Sequence, residues 1–202
     1  MKRKEKAGGY EILQSIRLGG RTILLGQNLC DKKAPYMTCY QQYALLGDKI
    51  YPDAIASTDF VEIMEIFTQR IAQQLRKVQD MRSQRAIPPE ILGVEHCFPN
   101  ANQQSLEGQL VILSPDSLSP EYRTADYQLG IALGGFGCNP RSRGQSVQFE
   151  ELYSGEQTRW DRSDILGIAN PAKLPEWAQK KLQERTPHTE RLPKEPHGGD
   201  AR

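Results

Sequence analysis

Residues 58–85 read TDFVEIMEIFTQRIAQQLRKVQDMRSQR. Phe60, Ile63, Met64, Phe67, Ile71, Leu75, Val78 and Met81 recur at three- and four-residue spacing, the period of a helix with one apolar side. Asp59 followed by Glu62 is a capping-box signature for the helix start. Acids gather early (Asp59, Glu62, Glu65) and cations late (Arg76, Lys77, Arg82, Arg85), which complements the helix dipole. Pro88-Pro89 then forbids continuation. One long amphipathic helix needs a surface to cover, and the residues before it supply strands.

Tyr10–Leu18 and Arg21–Gly26 are apolar runs separated by Gly19-Gly20, a hairpin signal. After a polar loop from Asn28 to Pro35, the aromatic run Tyr36–Tyr43 fits a third strand. A turn at Gly47-Asp48-Lys49 leads to Lys49-Ile50-Tyr51, which extends the sheet. The expected layout is a flexible basic leader (1–9), a sheet-plus-helix domain (10–86) and a proline-marked connector (87–107). Within the connector, Ile91-Leu92-Gly93-Val94 is apolar enough to dock. Residues 108–185 form a second block. Its strands are expected around Gln109–Leu113, Tyr127–Leu133, Ser146–Tyr153, Gln157–Trp160 and Ile165–Ile168, a spacing that suggests a small barrel or curled sheet. A terminal helix starts near Pro175. Residues 186–202 hold three prolines, two glycines and one large aliphatic residue, so the tail is expected to be disordered. The fold class is α+β: an antiparallel sheet packed on one long helix, then a barrel-like β unit with a C-terminal helix.

A net charge of +1 demands neither nucleic acid nor an anionic membrane as partner. No apolar run approaches a membrane span, and no apolar segment follows the basic N-terminus as a signal peptide requires. A cytoplasmic protein is the expectation. Cys30, Cys39, Cys97 and Cys138 form no Cys-x-x-Cys pair, and the three histidines lack metal-ligand spacing, so neither a metal nor another cofactor is expected. Without an export signal, free thiols are expected over disulfides.

The densest special geometry is Leu133-Gly134-Gly135-Phe136-Gly137-Cys138-Asn139-Pro140-Arg141-Ser142-Arg143-Gly144. It lacks the later glycine of a dinucleotide fingerprint and the Gly-Lys-Ser/Thr of a P-loop. One reading is a glycine-rich strand end leading into a wide loop. The other is a recognition loop in which Phe136 is an exposed anchor and Arg141 and Arg143 pair phosphate or carboxylate. Arg159-Trp160-Asp161-Arg162 offers a second candidate. Arg159 and Arg162 beside Trp160 suit stacking on bases, or else Trp160 is core and Arg162 and Asp164 cap a turn. If the two segments meet, Arg141, Arg143, Arg159 and Arg162 make one basic face. Cys97 beside His96, and Cys138 beside the loop arginines, are the candidates for a reactive thiol. No Ser/His/Asp set or carboxylate pair stands out, and no catalytic residue is assigned. The basic end of the long helix is a further candidate for nucleic-acid contact, against the plainer reading of a solvated face.

Two segments carry a resemblance. Tyr10–Ile16 through Pro35-Tyr36-Met37-Thr38 is similar to an N-terminal module in uncharacterised proteins of conjugative elements and phages in gut Firmicutes, some grouped with large polyvalent protein-associated domains. Pro120-Glu121-Tyr122-Arg123, Gly134-Gly135-Phe136-Gly137-Cys138-Asn139-Pro140, Arg143-Gly144, Gly155-Glu156, Arg159-Trp160 and Arg162–Gly167 resemble a second module from the same pool. The resemblance implies an accessory protein carried by mobile DNA, a class that includes anti-defence factors, and it carries over no activity. The expected function is a non-enzymatic binding protein with a protein partner. The alternatives are a nucleic-acid binder using the arginine/aromatic face and, third, a thiol enzyme.

Overall fold

The computed structural model describes residues 5–44, 47–99 and 104–185. The expected disordered tail and the first four residues of the expected leader lie outside them. The chain divides into two compact units, Met1–Ala86 and Ile87–Arg202.

The first unit is an antiparallel sheet of β1 (Lys6–Ala7), β2 (Tyr10–Leu18), β3 (Arg21–Gln27), β4 (Tyr36–Tyr43), β5 (Lys49–Ile50) and β6 (Ile55–Ser57). Its order is β1-β2-β3-β4-β5, and β6 also pairs with β4. The sheet thus starts before Tyr10. Lys6–Ala7 pairs with β2 across a Gly8-Gly9 turn, and Ala7 is fully buried, which corrects the expectation of a flexible leader through residue 9. The ends of the sheet approach each other: Lys49 ion-pairs with Glu5, and Tyr51 donates to the Lys6 carbonyl at 3.3 Å. A bulge between Ile12 and Gln14 makes this curl. It sends Tyr10 and Ile12 to one core with Leu24, Met37 and Cys39, while Ile16 faces a second core with Ile23 and Leu25.

That second core is covered by α1 (Phe60–Arg85). Asp59 caps the helix, accepting from the Val61 N–H at 2.8 Å, and Ala86 ends it in the left-handed conformation. The buried stripe is Ile63, Phe67, Arg70, Gln74 and Val78. Its spacing is helical, but two of its members are polar. Gln74 is used to hold the hairpin turn, donating to the Gly19 carbonyl at 3.0 Å.

The second unit is a five-stranded antiparallel sheet of β7 (Leu110–Leu113), β8 (Leu129–Gly134), β9 (Ser146–Glu151), β10 (Gln157–Asp161) and β11 (Ile165–Ile168), in the order β10-β9-β8-β7-β11. The one-turn helix α2 (Ala125–Gln128) leads into β8, and α3 (Glu176–Arg185) follows the sheet. In a flat sheet the edge strands β10 and β11 would lie about 19 Å apart, four spacings of about 4.8 Å. Only the 3₁₀ turn Arg162–Asp164 joins them, and four residue steps reach at most about 14 Å even when extended. The sheet must therefore curl. Two hydrogen bonds fix the corner: Arg162 N–H to the Gln145 carbonyl at 2.8 Å, and Ser114 N–H to the Asp164 carbonyl at 2.7 Å. A meander whose last strand crosses such a turn to pair with the first has the connectivity of an SH3-like barrel, and connectivity carries no function with it.

The curl creates an inside and an outside, and β7 is buried on both. Val111 and Leu113 point to an inner core with Leu106, Val147 and Phe149. Leu110 and Ile112 point to an outer core with Leu92, Leu174 and Ala178, the last on α3. That is why Leu-Val-Ile-Leu is continuously apolar rather than alternating. The expected connector is largely part of this unit. Gln128, fully buried, accepts from the Leu92 N–H and donates to the carbonyls of Leu92 and Leu113, all at 2.8–2.9 Å. Cys97 makes a bridge to Ala169, and Leu106 enters the inner core.

Candidate functional site

The glycine run leaves β8 through a bulge between Ala132 and Gly134 and turns over the start of β9 as a 3₁₀ turn, Phe136–Cys138. Two glycines are obligatory there. Gly135 has φ 113°, and a Cβ on it would lie 2.4 Å from the Ser146 carbonyl oxygen. A Cβ on Gly137 would lie 2.0 Å from the Gln145 carbonyl oxygen. The backbone therefore sits directly on β9. The loop beyond it is braced from within. Asn139 Oδ1 accepts from the Arg141 N–H at 2.9 Å, Ser142 N–H donates to the Asn139 carbonyl at 3.1 Å, and Ser142 Oγ accepts from the Gly144 N–H at 3.2 Å. Gly144 packs against the Cβ of Phe136 and closes the loop on its own base.

Arg162 locks this turn from the other side. Its Nη1 donates to the carbonyls of Gly137 at 2.6 Å and Cys138 at 2.9 Å, and its Nη2 donates to the Gln104 carbonyl at 3.1 Å. Leu106 N–H also donates to the Cys138 carbonyl at 2.9 Å. With Ser163 and Ile165, Arg162 and Leu106 line a recess of about 240 Å³ at this corner.

The candidate residues thus separate. Phe136 projects from the locked turn and is 77% exposed, the most exposed large apolar side chain among the described residues. Arg141 and Arg143 are exposed on the same loop. Arg159 is exposed on β10 opposite Gln148, whereas its neighbour Trp160 turns inward opposite Val147 and packs on the inner core. The Trp160 indole N–H donates to Thr158 Oγ1 at 2.9 Å. Trp160 is therefore half-buried against the inner core, and Arg162 is occupied in holding backbone carbonyls rather than in an open basic face. Asp164 completes the turn, accepting from Ser117 Oγ at 2.9 Å and from the Asp161 N–H at 3.1 Å. Nothing in the local sequence distinguishes an arginine that holds a loop from one that faces a partner; their separation required the fold.

Burial acts against thiolate formation at both candidate thiols, Cys97 and Cys138. All four cysteines are unpaired. Burial pushes the Cys138 thiol up, Glu107 adds to it, and Arg162 and the Gly134 backbone pull the other way without prevailing. Cys97 is raised by burial and then by Glu95. His96 is not placed to serve Cys97: its Nδ1 faces the Gly93 N–H at 3.0 Å and caps its own turn. Among the described residues, no three His, Cys, Asp or Glu side chains gather to hold a metal ion, and no helix is long and apolar enough to cross a membrane.

Compared with protein-family models, curated proteins and solved structures, the chain matches none.

Proposed function

We propose that this chain is a non-enzymatic binding protein that engages a protein partner through the loop carrying Phe136, Arg141 and Arg143. One observation carries the reading: a phenylalanine stands 77% exposed on a turn whose backbone is fixed by close glycine contacts and by Arg162. Exposing a large ring costs solvation, and holding it rigid lowers the entropy cost of inserting it into a partner's pocket. The exposed arginines add charge-assisted hydrogen bonds at the rim, which fits a partner with acidic groups around an apolar pocket. The resemblance to accessory modules of conjugative elements and phages supports a mobile-element setting, with host defence proteins among the partners that setting allows. The protonated state favoured for Cys97 and Cys138 weighs against a thiol enzyme.

The test is affinity capture from a Firmicute lysate on the immobilised full chain, with and without nuclease, in parallel with Phe136→Asp. A protein retained after nuclease by the parent chain and lost with Phe136→Asp is the expected result. Retention that nuclease abolishes would transfer the reading to nucleic acid held by Arg141, Arg143 and Arg159. Retention indifferent to Phe136→Asp would overturn the role of the loop.

A further inference from the structure

β10 ends the strand order of the second unit's sheet and, among the described residues, pairs only with β9. Two bonds just beyond its ends show which of its backbone groups that pairing uses. Glu151 N–H donates to the Glu156 carbonyl at 2.9 Å, and Arg162 N–H donates to the Gln145 carbonyl at 2.8 Å. Bonded residues alternate along an antiparallel pair, so Glu156, Thr158, Trp160 and Arg162 turn their backbone groups to β9. Gln157, Arg159 and Asp161 turn theirs outward. The Asp161 N–H is taken by Asp164 Oδ2 at 3.1 Å. Gln157 and Arg159, both exposed, thus present two outward N–H and C=O pairs on one strand. The opposite edge of the sheet is covered: Cys97 bridges to Ala169, and Phe98 N–H donates to the Ile168 carbonyl at 2.9 Å. β10 has no such cover among the described residues. It holds no proline or lysine, and its register with β9 is unbroken, so the usual guards of an edge strand are missing.

Water serves such an edge in a monomer, so the outward groups alone select no occupant. The order of the side chains does. When β10 is laid antiparallel on a second copy of itself, only outward residues meet as bonded pairs, which leaves few registers. Centring on Arg159 sets two guanidinium groups directly opposite, a repulsive pair. Centring on Trp160 requires the Asp161 N–H that Asp164 holds. Centring on Gln157 opposes Arg159 to Gly155, whose φ of 75° belongs to the turn before the strand. Centring on Thr158 sets Gln157 against the second copy's Arg159 and the reverse, each pair exchanging two backbone hydrogen bonds. The side chains agree with this register. Gln157 Nε2 donates to Glu150 Oε2 at 3.3 Å, which leaves the amide oxygen to accept from the second copy's Arg159. The result is an acid–amide–cation row across the joined sheets. Thr158 meets its own copy in the unbonded pair, a favourable cross-strand contact. A formal net charge of +1 raises little long-range repulsion between copies.

We propose that the β10 edge is a self-association surface, on which a second copy of this chain adds antiparallel about a two-fold axis at Thr158 and joins the two sheets. The contact is one short strand, so the association is weak and concentration-dependent. Sedimentation velocity on the full chain from about 5 µM to about 500 µM should show the average mass rising toward that of a dimer. Hydrogen exchange at the Gln157 and Arg159 amides should slow by about tenfold over the same range. Arg159→Pro removes an outward N–H, and Thr158→Lys sets two cations face to face, so each should keep the chain monomeric. Should Arg159→Pro fail to fold, Thr158→Lys, at an exposed position, carries that arm alone. Cysteine placement reads the register. In a Cys30→Ser background, Thr158→Cys should form an intermolecular disulfide in oxidised glutathione about tenfold faster than Gln157→Cys or Arg159→Cys, because only its Cα comes within about 4.5 Å of its own copy. Equal rates in the three, a preference for another position, or association unchanged in Arg159→Pro and Thr158→Lys would overturn the proposal. A chain that stays monomeric throughout would overturn it too and would leave the edge to a strand of another protein. Phe136→Asp should not alter the association; its loss there would move the contact to the glycine loop and overturn the β10 edge.

Discussion

At the residue scale, Arg162 and Gly137 decide whether the binding loop has one shape. Arg162 makes three bonds to carbonyls on two separate segments, the glycine turn and Gln104. Arg162→Ala leaves those carbonyls without their charged donor, and urea unfolding followed by tryptophan fluorescence should show a loss of about 2–3 kcal/mol. Arg162→Lys should recover little of it, because one ammonium cannot reproduce a fork that reaches two segments. Gly137→Ala tests the contact with β9. Its Cβ meets a backbone oxygen, which cannot swing aside, so the expected loss is about 3 kcal/mol or more. Gly155 is the control. It has φ 75° but open space around its Cβ, so Gly155→Ala should cost only the backbone strain, about 1 kcal/mol. Equal losses at the two positions would remove the steric account of the turn. Cysteine labelling at neutral pH separates the thiols in the same way. Exposed Cys30 should react first, and Cys97 and Cys138, whose thiols are raised, should react slowly. Fast labelling of Cys138 would reopen the enzyme reading.

At the scale of elements, α1 was readable because its start, period and stop are all local in sequence: Asp59, the apolar repeat and Pro88-Pro89. Which of its residues matter was less readable. The buried stripe takes in Arg70 and Gln74, whereas Leu75 and Met81, which share the apolar period, remain exposed. Phe67→Ala should therefore cost about 3–5 kcal/mol in equilibrium unfolding, and Met81→Ala should stay within about 1 kcal/mol. A large effect at Met81 would mean that the far end of the helix is packed in solution. β2 shows a different limit. Tyr10, Ile12 and Ile16 all fall on even positions and look like one face, but the bulge after Ile12 divides them between two cores. β1 and β6 are too short to have a period. The docking of Leu92 depends on Gln128, 36 residues away, and no local pattern announces such a bond. The candidate loop was visible as four glycines around one aromatic. The division of its neighbours into Phe136, Arg141 and Arg143 outside, and Trp160 and Arg162 within, depends on the register of β9 against β10.

At the scale of the whole molecule, both units solve one problem in one way. A short sheet curls until its edges approach, which makes an inner core, and a helix covers apolar side chains on the other face. Two faces buried per sheet place Cys39, Cys97 and Cys138 where ionisation is opposed, and all three thiols are raised. The phenol of Tyr10, which donates to the Ala34 carbonyl at 2.7 Å, is raised as well, by burial and then by Asp31. These shifts share a sign and so act together on stability. A raised group keeps its proton in the folded state at a pH where the unfolded chain has released it. The folded chain then binds more protons, and stability falls as pH rises. The contribution is complete below the ordinary thiol range and is lost above it. The urea midpoint should accordingly be flat near neutrality and decline from about pH 8.5 upward, with Tyr10 steepening the fall above about pH 10. A Cys39→Ala/Cys97→Ala/Cys138→Ala variant should start lower, because three side chains have been trimmed from packed surroundings, and yet lose less between about pH 8 and 10. An unchanged alkaline slope in that variant would place the thiols in contact with solvent and would contradict the packing on which both curled units depend.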